Sequence, residues 1–265
     1  MDGYMGEVLD SLFRWAHVVV GVLWIGLLYY FNWVNGVFAK QLDAETKQKA
    51  MPELLPRVLY FFRWGAAFTW ITGLLLLALV YYHGKQMTGG GPEESKMLMI
   101  GVATFLGGAV IYDVMWKKFQ DNEQMGVIIS YILVVAILYV LSEHTQMAKR
   151  AIWIHLGALF GTCMAMNVWM RIWPAQRKII AGIKSGEAAD PSHGKLAGLR
   201  SKHNTYMSVP LIFIMLVQHH ATHMDKATEE GTNLGWIILS GVVAIGWLAT
   251  NWVYKKSRTD APAQY

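Results

Sequence analysis

Apolar residues run along this chain in long unbroken stretches. They do not alternate every second residue, as a half-buried strand would, nor do they form the narrow stripes of soluble helices. A helix rises about 1.5 Å per residue and a hydrocarbon layer is about 30 Å thick. Seven stretches are read as membrane spans on that scale: Leu9–Val34, Arg57–Tyr82, Met97–Trp116, Gly126–Ser142, Arg150–Trp173, Thr205–His223 and Leu234–Tyr254. The fourth is short but nearly free of polar residues, and tilt or local thinning accommodates it. The pattern predicts an all-α integral membrane protein with one bundle domain of about seven transmembrane helices over residues 1–256, followed by a short tail, 257–265. Pro174–Asn204 is the longest connection and reads as a loop, with the turn-rich segment GEAADPSHGK inside it. Pro210 removes a backbone donor and is expected to kink the sixth span.

Composition agrees with this reading. Of 265 residues, 54% are hydrophobic and 15% charged, against about a quarter charged in soluble domains. The first ten residues are acidic rather than basic, so the first span is expected to be a retained helix and not a cleaved signal. The net charge of +5 calls for no nucleic-acid partner, because its carriers cluster in alternate connections. Lys40, Lys47, Lys49 and Arg57 follow the first span, and Lys117 and Lys118 the third. Arg171, Arg177, Lys178, Lys184, Lys195, Arg200 and Lys202 follow the fifth, and Lys255, Lys256 and Arg258 the seventh. The excess of basic residues on cytoplasmic loops then places the N-terminus outside and the C-terminus in the cytoplasm.

That orientation gives each histidine a depth. His17, His155 and His219, on three different spans, fall at a similar level on the outer side. Ionisable groups inside a span are costly and tend to face a bundle interior or a site. Two uses fit three imidazoles at one depth. Two of them could hold the iron of a b-type haem, with Gly21, Gly157 and Gly161 leaving room for the macrocycle, or all three could bind copper or zinc. The apolar, aromatic surroundings favour haem. His220 competes with His219 from about 100° around the helix, while His223 reads as interfacial. The opposite reading of any one of them is a packing histidine held by hydrogen bonds.

Asn32, Asn35, Arg63, Asp113, Asn167, His203 and Asn204 form a polar set in the inner half. His203, Asn204 and Asp113 are its candidates for catalysis. For Asp113 the simpler reading, a salt bridge to Arg63 or Lys117, is preferred. Cys163 is the single cysteine and lies in an apolar run, so it reads as packing. No phosphate loop, dinucleotide fingerprint, nucleophile elbow or zinc-protease motif occurs, and no CxxCH for covalent haem.

The segments HLGALFGTCMAMNVWMRIWPAQRKII (155–180) and GLRSKHNTYMSVPLIFIMLVQHH (198–220) resemble the membrane domain of the cytochrome c-type urate oxidases, or urate hydroxylases. RWAHVVVGVLWIG (14–26) and FFRWGAAFTWITGLLLL (61–77) fit the first two helices of that domain. The resemblance implies an oxidoreductase of the bacterial inner membrane that converts urate to 5-hydroxyisourate and passes electrons to a cytochrome c. His17, His155, His203 and His219 match histidine positions of the family pattern. His220 stands where an aromatic is more usual, which favours His219 as the ligand. The family's C-terminal cytochrome c domain has no counterpart in these 265 residues. The competing expectation is therefore an accessory or electron-transfer subunit of a larger respiratory complex, without urate activity of its own.

Overall fold

The computed structural model describes residues 3–187, 190–217 and 234–258. Among these the chain forms long helices running up and down a single bundle. Six are long and apolar enough to cross a membrane: α1 (Tyr4–Gln41), α2 (Ala44–His83), α3 (Glu94–Lys118), α4 (Glu123–Glu143), α5 (Lys149–Ser185) and α7 (Gly235–Ser257). A further helix, α6 (Pro191–Val217), passes through Pro210 without ending and reaches the limit of the described residues.

The helices outrun the apolar stretches that announce them, because hydropathy marks the part in lipid and not the part that is helical. Gln41 and Ala44 are separated by a break of two residues, after which the Asp43 carboxylate caps α2. It accepts from the Thr46 amide at 2.9 Å and from the Thr46 hydroxyl at 2.7 Å. The expected long loop Pro174–Asn204 is mostly helix. Gly186, at φ +75°, ends α5 in the left-handed conformation that glycine adopts without strain, and Pro191 opens α6. The basic residues assigned to that loop therefore sit on helices, where they can reach the core.

α5 is the central helix. In its apolar stretch 78% of residues are buried, against 11% in α1 and at most 28% in the other four spans. Trp153, Leu156, Phe160, Cys163 and Met164 lie wholly inside the bundle. α2, α3, α4 and α6 pack around α5, and α7 closes against α4 and α6. α1 lies mainly along α2 and turns Trp15, Val18 and Val22 outward. Large apolar side chains exposed on a spanning helix are lipid contacts, since hydrocarbon is as good a solvent for them as a protein core.

Among the described residues, four helices carry a π-helical turn: Tyr30–Asn35 in α1, Leu77–His83 in α2, Ala103–Gly107 in α3 and Asn167–Ile172 in α5. Such a turn adds a residue and re-aims the side chains beyond it, and it recurs at functional positions. The turn in α2 carries Tyr82, that in α3 carries Phe105, and that in α5 carries Asn167 and Arg171. Tyr82, Asn167 and Arg171 enter the polar sites described next, and the Phe105 ring lies 6.4 Å from that of His155.

Candidate functional site

Polar side chains collect at two levels. Near one end of the bundle, Asp113 on α3 is the hub of an ion cluster. Arg171 on α5 grips it with two bonds, Nε to Oδ1 at 3.0 Å and Nη2 to Oδ2 at 2.5 Å. Lys117 lies 3.2 Å from Oδ2, and Arg200 Nη2 on α6 lies 3.3 Å from Oδ1. The side chain of Arg200 is 2% exposed. A cation so deep persists only where partners replace its water. Its Nη1 reaches Asn167 Oδ1 at 3.4 Å and its guanidinium stands 5.3 Å from the centre of the Tyr112 ring.

The cluster continues as neutral hydrogen bonds. Asn167 Nδ2 donates to Tyr112 Oη and to Asn204 Oδ1, each at 2.8 Å, and Asn204 Nδ2 donates to the Met164 carbonyl at 3.0 Å. Tyr112 Oη and His203 Nδ1 are 2.9 Å apart. Tyr112 also accepts from Asn167, and the tautomer of His203 sets which of Tyr112 Oη and His203 Nδ1 donates between them. Asp113, His203 and Asn204 are thus joined through Tyr112, Asn167, Arg171 and Arg200. Lys117 is a partner of Asp113, as expected. The alternative partner, Arg63, instead stacks on Trp173, 4.0 Å from the ring centre.

At the other end the chemistry is neutral. His155, on α5, is fully buried. Its Nδ1 donates to the Ala151 carbonyl at 2.6 Å, so Nε2 is the bare nitrogen, and it accepts from the Tyr82 hydroxyl at 3.0 Å. The ring is seated on Gly101, where a Cβ would stand 2.5 Å from Nε2. His17, on α1, lies beside Gly73 and places Nδ1 3.0 Å from Thr72 Oγ1. Thr72 already donates its proton to the Phe68 carbonyl at 2.6 Å, so it accepts from His17 and leaves that Nε2 bare as well. Both rings therefore hold the tautomer that a metal ligand needs, each with its other nitrogen fixed by an oxygen.

The two histidines stand on different helices, His17 on α1 and His155 on α5. Each packs in its own glycine notch, and Tyr82 covers Nε2 of His155. Among the described residues no group of three His, Cys, Asp or Glu side chains is placed to hold a metal ion. His219, His220 and His223 lie outside the described residues. Of the glycines expected to make room for a macrocycle, Gly157 packs against Leu211, Ile214 and Met215 of α6 and Gly21 faces Thr69, while Gly161 has nothing within 4 Å. A haem iron on His155 Nε2 requires the Tyr82 hydroxyl to leave.

Above His155 the bundle opens into a cleft of about 960 Å³ lined by the start of α1, the end of α2 and the start of α5. Neither His17 nor His155 lines it; Tyr81, which does, lies edge-on to His155 with ring centres 6.4 Å apart. Sequence reasoning missed Tyr82, Gly101, Tyr112, Arg171 and Arg200 as site residues. Spacing carried a signal for some of them: Arg200, His203 and Asn204 stand at i, i+3 and i+4, and Asn167 and Arg171 at i and i+4, each set on one helix face. Tyr82 and Gly101 carried none.

The model of the urate oxidase N-terminal family matches residues 43–265. The chain belongs to the urate oxidase N-terminal family. The match takes in α2 through α7 and both polar levels except His17, which precedes it on α1. Comparison with curated proteins and with solved structures returned no match. As a family member built on six apolar helices, the chain is a multi-pass membrane protein with a urate oxidase-like domain.

Proposed function

We propose that the chain is the membrane part of a urate-hydroxylating oxidoreductase that contains haem b and passes electrons to a cytochrome c or another respiratory partner. The observation that carries the reading is the family match over nearly the whole chain. In the reaction, urate and water give 5-hydroxyisourate, two protons and two electrons, and the electrons leave to the acceptor. The bare Nε2 of His17 and of His155, each with its second nitrogen held by an oxygen, supports these two as iron ligands, with His219 as the third candidate. Bound haem would supply one-electron steps that protein side chains alone do not offer. In this reading the His155 end faces outward, at the bacterial inner membrane, and the basic Asp113 end faces the cytoplasm. His203, Asn204 and Asp113 act by fixing α3, α5 and α6 against one another.

Two measurements test this. Membranes holding the protein should consume urate when cytochrome c is added; turnover no higher than in membranes lacking the protein removes the urate reading and leaves an electron-transfer or accessory subunit. A reduced-minus-oxidised spectrum of the purified chain should show a b-type band near about 560 nm. His155→Ala should abolish it and His223→Ala should not. Absence of the band under full haem supply ends the haem assignment.

A further inference from the structure

Arg63 belongs to the inner polar set, yet it takes no part in the Asp113 network. Its guanidinium lies 4.0 Å from the centre of the Trp173 ring, and the rings of Tyr60 and Trp169 stand 5.7 and 6.0 Å away. Trp169 is tied to the same turn of α2, since its Nε1 donates to the Arg63 carbonyl at 3.1 Å. Arg177, one turn beyond Trp173 on α5, places its guanidinium 5.9 Å from the centre of the Trp173 ring. Two cations thus share one indole, Arg63 from α2 and Arg177 from α5.

Among the described residues neither arginine forms an ion pair. The sequence explains why: α1 has no Asp or Glu after Asp10, α2 has none after Glu53, and α5 and α6 have none at all. Glu53 is paired with Arg57 at 3.1 Å, and Asp113 on α3 is held by Lys117, Arg171 and Arg200. The rings stabilise the two cations but leave their charge uncancelled. Nε of Arg63 is buried, whereas its Nη1 and Nη2 are neither buried nor bonded among the described residues. Arg177 is exposed.

Beside the cations the surface is apolar. Tyr60, Trp64, Phe68 and Trp169 are all exposed and form one chain of rings. Their centres are 6.5 Å apart for Tyr60 and Trp64, 5.7 Å for Trp64 and Phe68, and 5.5 Å for Trp64 and Trp169. Ile71 and Leu75, also exposed, continue the same face of α2 in the direction of His83. From Trp64 to Leu75 this face runs about 16 Å, close to half of a hydrocarbon layer about 30 Å thick. A soluble anion would need the cations alone; a lipid of one leaflet needs the cations and an apolar track of this length.

We propose that this face of α2 and α5 binds an anionic phospholipid, its phosphate against the Arg63 and Arg177 guanidinium groups and an acyl chain along Trp64, Phe68, Ile71 and Leu75. Guanidinium forks match phosphate oxygens, and basic pockets between spanning helices hold anionic headgroups in this way. The site needs neither urate nor haem. Its lipid bridges α2 and α5 at the end of the bundle where Asp113 joins α3, α5 and α6.

The test is native mass spectrometry of the full chain in neutral detergent, titrated with phosphatidylglycerol and with phosphatidylcholine of identical acyl chains. A cation near a headgroup is worth about five-fold, so the first phosphatidylglycerol should bind the wild type about twenty-fold more tightly than phosphatidylcholine. Arg63→Gln and Arg177→Gln should each lower that preference about five-fold, and the double substitution should abolish it. Arg63→Lys should lower it less. Lys178→Gln removes the same charge from a position about 100° round α5 from Arg177 and should leave the preference unchanged. Phe68→Ala should weaken both lipids and keep the preference. If Arg63→Gln does not fold, Arg63→Lys and Arg177→Gln carry the comparison. Equal affinity for the two lipids overturns the proposal, as does a preference kept by the folded double variant or lost as fully in Lys178→Gln. Unchanged affinity of Phe68→Ala for both lipids overturns it too, since no chain then lies on that face. Glycerol 3-phosphate at the lipid's concentration should not displace phosphatidylglycerol; displacement gives the arginines to a soluble phosphate. A chain that dimerises and takes up no lipid gives the face to a second copy. Either result overturns the lipid assignment.

Discussion

At the Asp113 end one carboxylate meets three cations and the amides behind them bond to one another, whereas at the His155 end two neutral histidines sit in glycine notches beneath an open cleft. The first arrangement spends its donors and acceptors internally, except for the buried Nε of Arg200. It joins α3, α5 and α6, and it leaves little for a ligand. The second leaves the Nε2 of each ring unprotonated, that of His155 accepting from Tyr82. The contrast separates two meanings of a buried polar group: one holds helices in register, the other waits for a partner.

The sharpest way to break the comparison is Asp113→Ala. It strips the counter-ion from Arg200, 2% exposed, and from Arg171, 26% exposed. Leaving buried charge uncompensated costs on the order of 3–5 kcal/mol. Thermal unfolding of the purified chain should show a large loss, and a wild-type melting point would mean that the cluster does not hold the helices.

Gly101→Ala probes the other end. The new methyl would stand 2.5 Å from His155 Nε2 and 2.7 Å from Cδ2, on a ring held at both nitrogens. Either the ring tilts away from Tyr82 or α3 moves off α5, at about 1–3 kcal/mol, the usual range for overpacking. The loss should be smaller than for Asp113→Ala. An undisturbed melting point would mean that the notch is looser than the contact implies.

The smallest effect is expected outside both sites. Bonds from the Thr46 amide and hydroxyl hold the Asp43 carboxyl below its ordinary pKa. Its contribution to the start of α2 is complete above the unfolded-state value and is lost as pH falls through the folded one. Amide protection at Thr46 and Lys47, corrected for intrinsic exchange, should therefore drop in acid and stay level towards neutral pH. An equal acid response in Asp43→Asn would assign the change to another group.

Much of this contrast could be read before any coordinates. Asp113, His203 and Asn204 stood out because polar residues inside apolar spans are expensive, and they do belong to one network. Arg171 and Arg200 were placed in loops because hydropathy stops where lipid stops, while the helix continues. Their side chains reach back into the bundle from helical positions that composition alone describes as polar connection. Gly101 and Gly73 were invisible for a different reason. A glycine under a ring is defined by what packs on it, and that neighbour lies on another helix.

The sequence by itself determined the class of fold, the spans and the identity of the buried polar residues, since burial in a membrane is set by local hydropathy over a length that one helix can read. Only the tertiary structure decided which polar groups meet. Pairing depends on how neighbouring helices are rotated and on three of the π-helical turns, which re-aim Tyr82, Phe105, Asn167 and Arg171. It is this rotation that gives His17 and His155 each a glycine notch and joins three scattered polar residues into one network.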